Sequence, residues 1–273
     1  MNPALKFRNW IVQRSTRRAL ISLIVFVVLW EIGSRSKEWL GFALPWIGNV
    51  PPPSAVLKVW GDLLDDPGYW QSWYLSTFRV LAGFVAAMLI GIPLGLLMAV
   101  SKNFNRIWFP SFEVLRPIPP LAWVPVAIIF WPTQELSIGF VTFLGAFFTV
   151  VINVLGGAKS IDTRFFQAAR AMGASQWNIF RRIVLPATLP SIVVGSSVGM
   201  GITWNVVVAA EMISGGGGSA SGGGLGFFIW NSYVGGSYEQ IVVGMISIGI
   251  AGYACSELLR AMGGFVTPWI KTR

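Results

Sequence analysis

The chain has 273 residues, 54% of them hydrophobic and 11% charged, with a mean hydropathy of +0.65. Soluble domains usually carry about 25% charged residues, so this chain cannot cover its apolar surface with a polar shell and reads as an integral membrane protein. It has no His and one Cys, Cys255, which excludes a Ser-His-Asp triad, an internal disulfide and the converging ligands of zinc, haem or iron–sulfur sites. No catalytic and no metal-binding residue is expected.

Six apolar stretches are expected to span, at about 19–34, 80–100, 117–132, 136–156, 189–213 and 240–260. The first follows Arg14, Arg17 and Arg18 and could pass for a signal peptide. Trp30-Glu31 and Arg35 then stand where a small-residue cleavage site would be, which favours an uncleaved anchor. With the N-terminus inside, 16 of the 20 Lys and Arg fall in inner segments, and only Arg35, Lys37, Lys58 and Arg79 fall outside. Lys and Arg resist translocation, so the formal charge of +9 is a topology signal and no nucleic-acid partner is needed. Both termini are expected in the cytoplasm.

Segment 35–78 carries Pro51-Pro52-Pro53, the acidic group Asp62, Asp65 and Asp66, and Trp60, Trp70 and Trp73. An extended stretch followed by a helix at the outer interface is expected there. In the third span, Pro117, Pro119, Pro120 and Pro125 each lack an N–H and leave a carbonyl without its helical donor. That is tolerated where the backbone faces a cavity or another helix. Arg116 at its inner end either snorkels to lipid phosphate or attracts another anion.

Gly156-Gly157-Ala158-Lys159-Ser160 mimics the end of a P-loop, but Ala158 stands where glycine is required. No ATP binding through such a loop is expected. The stretch 160–190 then turns polar. Asp162 is placed to accept from a helix start and Gly173 to end or bend that helix. Pro186 and Pro190 are expected to reset the chain as it re-enters the membrane. The helix pair either rests on lipid or docks a cytoplasmic partner. In the fifth span Thr203, Asn205 and Glu211 either face a path or bond neighbouring helices. Glu211 is expected to pair with a cation or cap backbone at the outer end of its span. Gly91/Gly95 and Gly195/Gly199 have the spacing of close helix packing. The glycines at 215–218 and 222–224 read as a flexible outer loop.

Gln167-Ala168-Ala169, then Gly173, then Ile183-Val184-Leu185-Pro186 resembles the EAA loop of ABC-importer permeases, with Gln167 in place of the usual Glu. Arg116-Pro117-Ile118-Pro119-Pro120-Leu121-Ala122-Trp123-Val124-Pro125 is similar to a run of the nitrate/sulfonate/bicarbonate/taurine subfamily. Ala209-Ala210-Glu211-Met212 with Gly224-Leu225-Gly226-Phe227 resembles another. The resemblance covers about 75–262. It implies an all-α polytopic protein with the type I ABC-importer permease fold in the plasma (inner) membrane. Gln167, Ala168, Ala169, Gly173, Ile183, Leu185 and Pro186 would form the ATPase-coupling loop, and Arg116, Pro117, Pro119, Thr203, Asn205 and Glu211 would line a path for a small anion.

The organisation this implies is an N-terminal tail, first span and outer segment over 1–74, a permease core over 75–262 with the coupling loop at 160–186, and a tail over 263–273. The partners implied are separate ATPase subunits, which would bind ATP and Mg so that this chain needs no cofactor of its own, and a periplasmic or lipid-anchored solute-binding protein. A second permease copy and membrane lipid complete the set. An ion-coupled secondary transporter is the alternative; it would need paired membrane-buried carboxylates or inverted repeats. Within the spans only Glu31, Glu211 and Glu257 are acidic, each near an end.

Overall fold

The computed structural model describes residues 14–42, 44–214 and 223–269, and those residues form helices and turns with no strand. Lys6, Arg8, Lys271, Arg273 and most of the glycine stretch at 215–222, which enter the charge and loop readings, lie outside them. The chain divides into two compact units: the described residues before Pro67 with Ser232–Val243, and Pro67–Asn231 with the residues from Gly244 on.

In the first unit, α1 (Arg14–Ser34), α2 (Ser36–Leu40) and α3 (Pro53–Leu63) follow one another. Pro53 opens α3, where a missing N–H costs nothing. Glu31 Oε2 accepts from Ser54 N at 3.1 Å, and its Oε1 accepts from Ser54 Oγ at 2.9 Å and Arg35 Nε at 2.6 Å. The end of α1 is thereby fastened to the first turn of α3. The apolar run of α1 between Arg18 and Glu31 is only 12 residues, short of the ~20 that a full crossing needs.

Four helices are long and apolar enough to cross a membrane: α4 (Pro67–Val100), α7 (Gln134–Lys159), the continuous Gln176–Ile213 run that ends in α10 (Leu185–Ile213), all in the second unit, and α12 (Tyr238–Val266), which belongs to that unit from Gly244 on. A fifth crossing is broken. The helix α5 (Lys102–Leu115) and the segment Pro120–Phe130, a 3₁₀ turn (Pro120–Trp123) leading into α6 (Val124–Phe130), meet at 88°. The third span expected over 117–132 thus takes in α5 as well, and its break falls at the prolines. Pro117, Pro119 and Pro120 remove three of four successive N–H donors, and α6 alone is 7 residues long. Four continuous spans and one broken one therefore stand where six were expected among the described residues. The expected outer segment also ends early: α4 begins at Pro67, so Trp70 and Trp73 lie in its first turns.

The helix α7 is the centre, with 61% of its apolar window buried against 39% for α4 and 22% for α12. Small residues set its distance from α4. A Cβ on Gly83 would meet Thr142 Cγ2 at 2.8 Å, one on Gly91 would meet Val150 Cγ1 at 3.3 Å, and one on Gly95 would meet Val154 Cβ at 2.9 Å. These contacts advance in the same direction along both helices, so α4 and α7 run parallel. The chain between them must cross once, which is what the broken span does. Against α10 the order reverses: Gly145 faces Thr203 and Val206, Gly195 faces Asn153, and Gly157 faces Ser191. Those two helices are antiparallel. So are α10 and α12, where Gly252 faces Trp204 and Gly263 faces Val193. Lipid tails are as apolar as these side chains, so close packing through small residues holds the bundle together.

Candidate functional site

Two places in the second unit concentrate polar side chains, at opposite ends of the bundle. The first is the connection between α7 and α10. Asp162 Oδ1 accepts from Arg164 N at 2.8 Å and starts α8 (Thr163–Ala171). That helix ends at Gly173, whose φ is +75°. Gly173 N donates to Arg170 O and Ala174 N to Ala169 O, both at 3.0 Å, the paired bonds of a Schellman turn. Ser175 Oγ then accepts from Asn178 N at 3.3 Å and opens α9 (Gln176–Ile179).

The chain does not break at Pro186, which corrects the expected reset. It widens instead into a π-turn over Phe180–Val184, closed by Leu185 N donating to Phe180 O, and runs on into α10. A proline ring collides with the carbonyl four residues back, here that of Arg182. The wide turn relieves that collision.

The predicted loop residues separate by depth. Ala169, Ile183 and Leu185 pack with Leu96, Val154 and Ala158 into a small apolar core, and Pro186 is half-buried. Gln167, Ala168 and Gly173 are exposed, beside Phe165, Met172 and Trp177, which are 62%, 79% and 65% exposed. The buried set seats the helix pair on α4 and α7, leaving the other set presented outward.

At the other end lies a buried charge network that sequence reasoning only half found. Arg79, 3% exposed, donates from Nη1 to Glu211 Oε1 at 2.8 Å, from Nε to Glu135 Oε2 at 2.9 Å, and from Nη2 to Glu135 Oε1. Glu211, fully buried, also receives Ser76 Oγ at 2.8 Å and Gly226 N at 2.9 Å. Ser76 Oγ in turn accepts from Leu225 N at 2.8 Å. The last two donors are first-turn N–H groups of α11 (Leu225–Val234), which have no intrahelical partner. A Cβ on Gly224 would overlap Glu211 and Ser76. Glu211 thus both pairs with a cation and caps backbone. The two motifs around residues 209–212 and 224–227 meet in space through it.

The predicted path residues are not brought together. Thr203 is fully buried and turns its hydroxyl to Gly199 O of its own helix at 2.8 Å. Packing and pairing consume the polar atoms of Thr203 and Glu211. Arg116, Pro117, Pro119 and Asn205 are exposed. Of these, Arg116 borders a cavity of about 330 Å3 with Pro120, Gly145, Thr149 and Ile202.

Sequence reasoning missed Ser76, Arg79 and Glu135. The available signal was that Arg79 heads one apolar run and Glu211 closes another, and lone charges at span ends seek each other. Among the described residues no three His, Cys, Asp or Glu are grouped to hold a metal.

A family model described as the binding-protein-dependent transport system inner membrane component matches residues 91–272. The chain is 32% identical to the nitrate import permease protein NrtB of Synechocystis sp., covering 92% of this chain and 89% of that protein. It is 34% identical to the bicarbonate transport system permease protein CmpB of Synechococcus elongatus (92% and 88%), and 30% identical to the taurine transport system permease protein TauC of Escherichia coli (97% and 94%). Among solved structures, a bacterial ABC transporter involved in import of the acidic polysaccharide alginate matches with a TM-score of 0.58 at 16% identity, covering 95% of this chain and 99% of that one. The MetNI methionine ABC transporter in an inward-facing conformation matches with a TM-score of 0.50 at 23% identity, covering 70% and 93%.

Proposed function

Because this chain belongs to the family of binding-protein-dependent transport system inner membrane components, we propose that it is the permease subunit of an ATP-driven importer for a small anion of the nitrate, bicarbonate or sulfonate class, taurine included. Two copies would enclose the path. Separate ATPases would take the 163–179 helix pair from the cytoplasm, and a solute-binding protein would deliver the anion from outside. The observation that carries this reading is the α8–Gly173–α9 element. It is seated by Ala169, Ile179 and Val184 on the bundle yet presents Phe165, Met172 and Trp177 outward. Three large apolar side chains around one turn fit a cleft in another protein.

The relatives named for nitrate, bicarbonate and taurine support an anionic cargo. An ion-coupled secondary transporter is less well supported. Glu211, the one fully buried carboxylate among the described residues, is already bound by Arg79, Ser76 and Gly226.

The test is reconstitution of this chain in liposomes with a cognate ATPase and solute-binding protein. Uptake of labelled nitrate, bicarbonate, sulfonate or taurine should require ATP and both partners. Uptake by the chain alone, driven by an ion gradient, would overturn the proposal.

A further inference from the structure

The cavity beside Arg116 is walled by three elements that the break in the fifth crossing brings together. Arg116 and Pro120 come from the break itself, Leu144, Gly145, Phe148, Thr149 and Ile152 from α7, and Ile202 from α10. Its volume, about 330 Å3, lies at the lower end of the ~300–1,000 Å3 typical of small-molecule sites. Of the residues that line it, only Arg116 and Thr149 carry polar side-chain atoms, a guanidinium and a hydroxyl. The hydroxyl makes no hydrogen bond among the described residues; Asn153 Nδ2 bonds the Thr149 carbonyl instead, at 2.8 Å. One cation and one uncommitted hydroxyl amid apolar walls make a site for a small anion. A guanidinium offers a planar oxyanion two parallel N–H donors.

Arg116 is not idle in the absence of an anion. Glu113, one turn back on α5, holds its Nη1 at 3.1 Å. The pair is joined at one nitrogen, and the two side chains are 46% and 47% exposed. Solvent-exposed pairs at this helical spacing are held weakly, so another anion can take the guanidinium from Glu113. Conduction needs this balance, since a site must bind well enough to admit an ion and weakly enough to release it.

We propose that this cavity is a transit site for a small oxyanion, with Arg116 as its cation, Thr149 as its hydroxyl donor and Glu113 as a resident competitor that reclaims Arg116 and drives the ion on. The proposal rests on the anion-importer reading and adds to it the residues that the ion meets.

It can be tested without transport. In a Cys255→Ser background, Thr149→Cys provides one thiol in the cavity. The assembled complex in membranes is treated with an anionic and a cationic methanethiosulfonate of similar size. The anionic reagent should react at least about tenfold faster, as a focused positive potential dictates. Arg116→Gln should abolish that bias, Glu113→Gln should enlarge it, and millimolar nitrate or bicarbonate should slow the anionic reagent selectively.

Equal rates for the two reagents, or a bias that survives Arg116→Gln, would overturn the proposal. Reaction with neither reagent would place this face in lipid and overturn it as well. Thiol modification needs no ATP hydrolysis. Loss of the importer reading would thus appear as failure to assemble with the ATPase while the charge bias persisted, an outcome distinct from failure of the site.

Discussion

Arg79 and Glu211 meet at 2.8 Å with 3% and 0% of their side chains exposed, joining the fourth turn of α4 to the last turn of α10. Glu135 holds the other side of the same guanidinium but is 58% exposed. Removing one member of a buried pair leaves an uncompensated charge, at a cost of about 3–5 kcal/mol, whereas replacing both with apolar groups is often neutral. Arg79→Met should therefore lower the thermal midpoint in detergent sharply. Arg79→Met combined with Glu211→Met should recover most of the loss. Glu135→Gln should stay within about 1 kcal/mol of wild type, because water already screens that carboxylate. An Arg79→Met protein as stable as the parent would show that the pair does not hold the bundle.

The contacts that α7 makes with α4 and with α10 predict a graded series. Gly95 abuts Val154 Cβ at 2.9 Å and the Val151 carbonyl at 3.0 Å, so a methyl group there must push backbone. Gly95→Ala should cost about 1–3 kcal/mol, the usual penalty for overpacking. Gly199 has only ordinary contacts, Ala146 Cβ at 3.4 Å being the nearest. Gly199→Ala should be neutral or stabilising by up to about 1 kcal/mol through helix propensity. Gly91, at 3.3 Å from a Val150 methyl, should fall between them. Unfolding midpoints of the three variants check the order; equal losses at 95 and 199 would contradict this packing.

Much of this arrangement is legible in the sequence because the lipid bilayer demands long apolar runs, and those at 80–100, 136–156, 189–213 and 240–260 all lie within helices of spanning length. The helix at Asp162 and its end at Gly173 were legible for a related reason: capping chemistry is local, so the residues that cause it are adjacent. The break at 116–119 was visible as a cluster of prolines, but its 88° bend depends on how the flanking helices pack. Arg79 was not legible as a partner of Glu211. Their separation of 132 residues is closed only by the packing of α4, α7 and α10. The direction of the Thr203 hydroxyl was not legible either, since a hydroxyl in an apolar run can satisfy itself on its own backbone, as this one does.

Gly173 gives the sharpest test of the coupling element. Its φ of +75° is a left-handed conformation, and a Cβ there would meet nothing within 4 Å. Any penalty of substitution inside this chain is therefore backbone strain, on the order of 1–2 kcal/mol for most side chains. Asparagine tolerates that conformation far better than valine does. The turn sits between exposed Met172 and exposed Trp177. Gly173→Val should then insert and dimerise normally while failing to retain the ATPase on co-purification, with no substrate-stimulated ATP hydrolysis in liposomes. Gly173→Asn preserves the turn and should restore much of the turnover. It would restore less if the partner surface lies close enough to touch the added side chain, so the ratio of the two variants separates strain from contact. Wild-type ATPase retention and turnover in Gly173→Val would mean that α8 and α9 rest on lipid and couple to nothing.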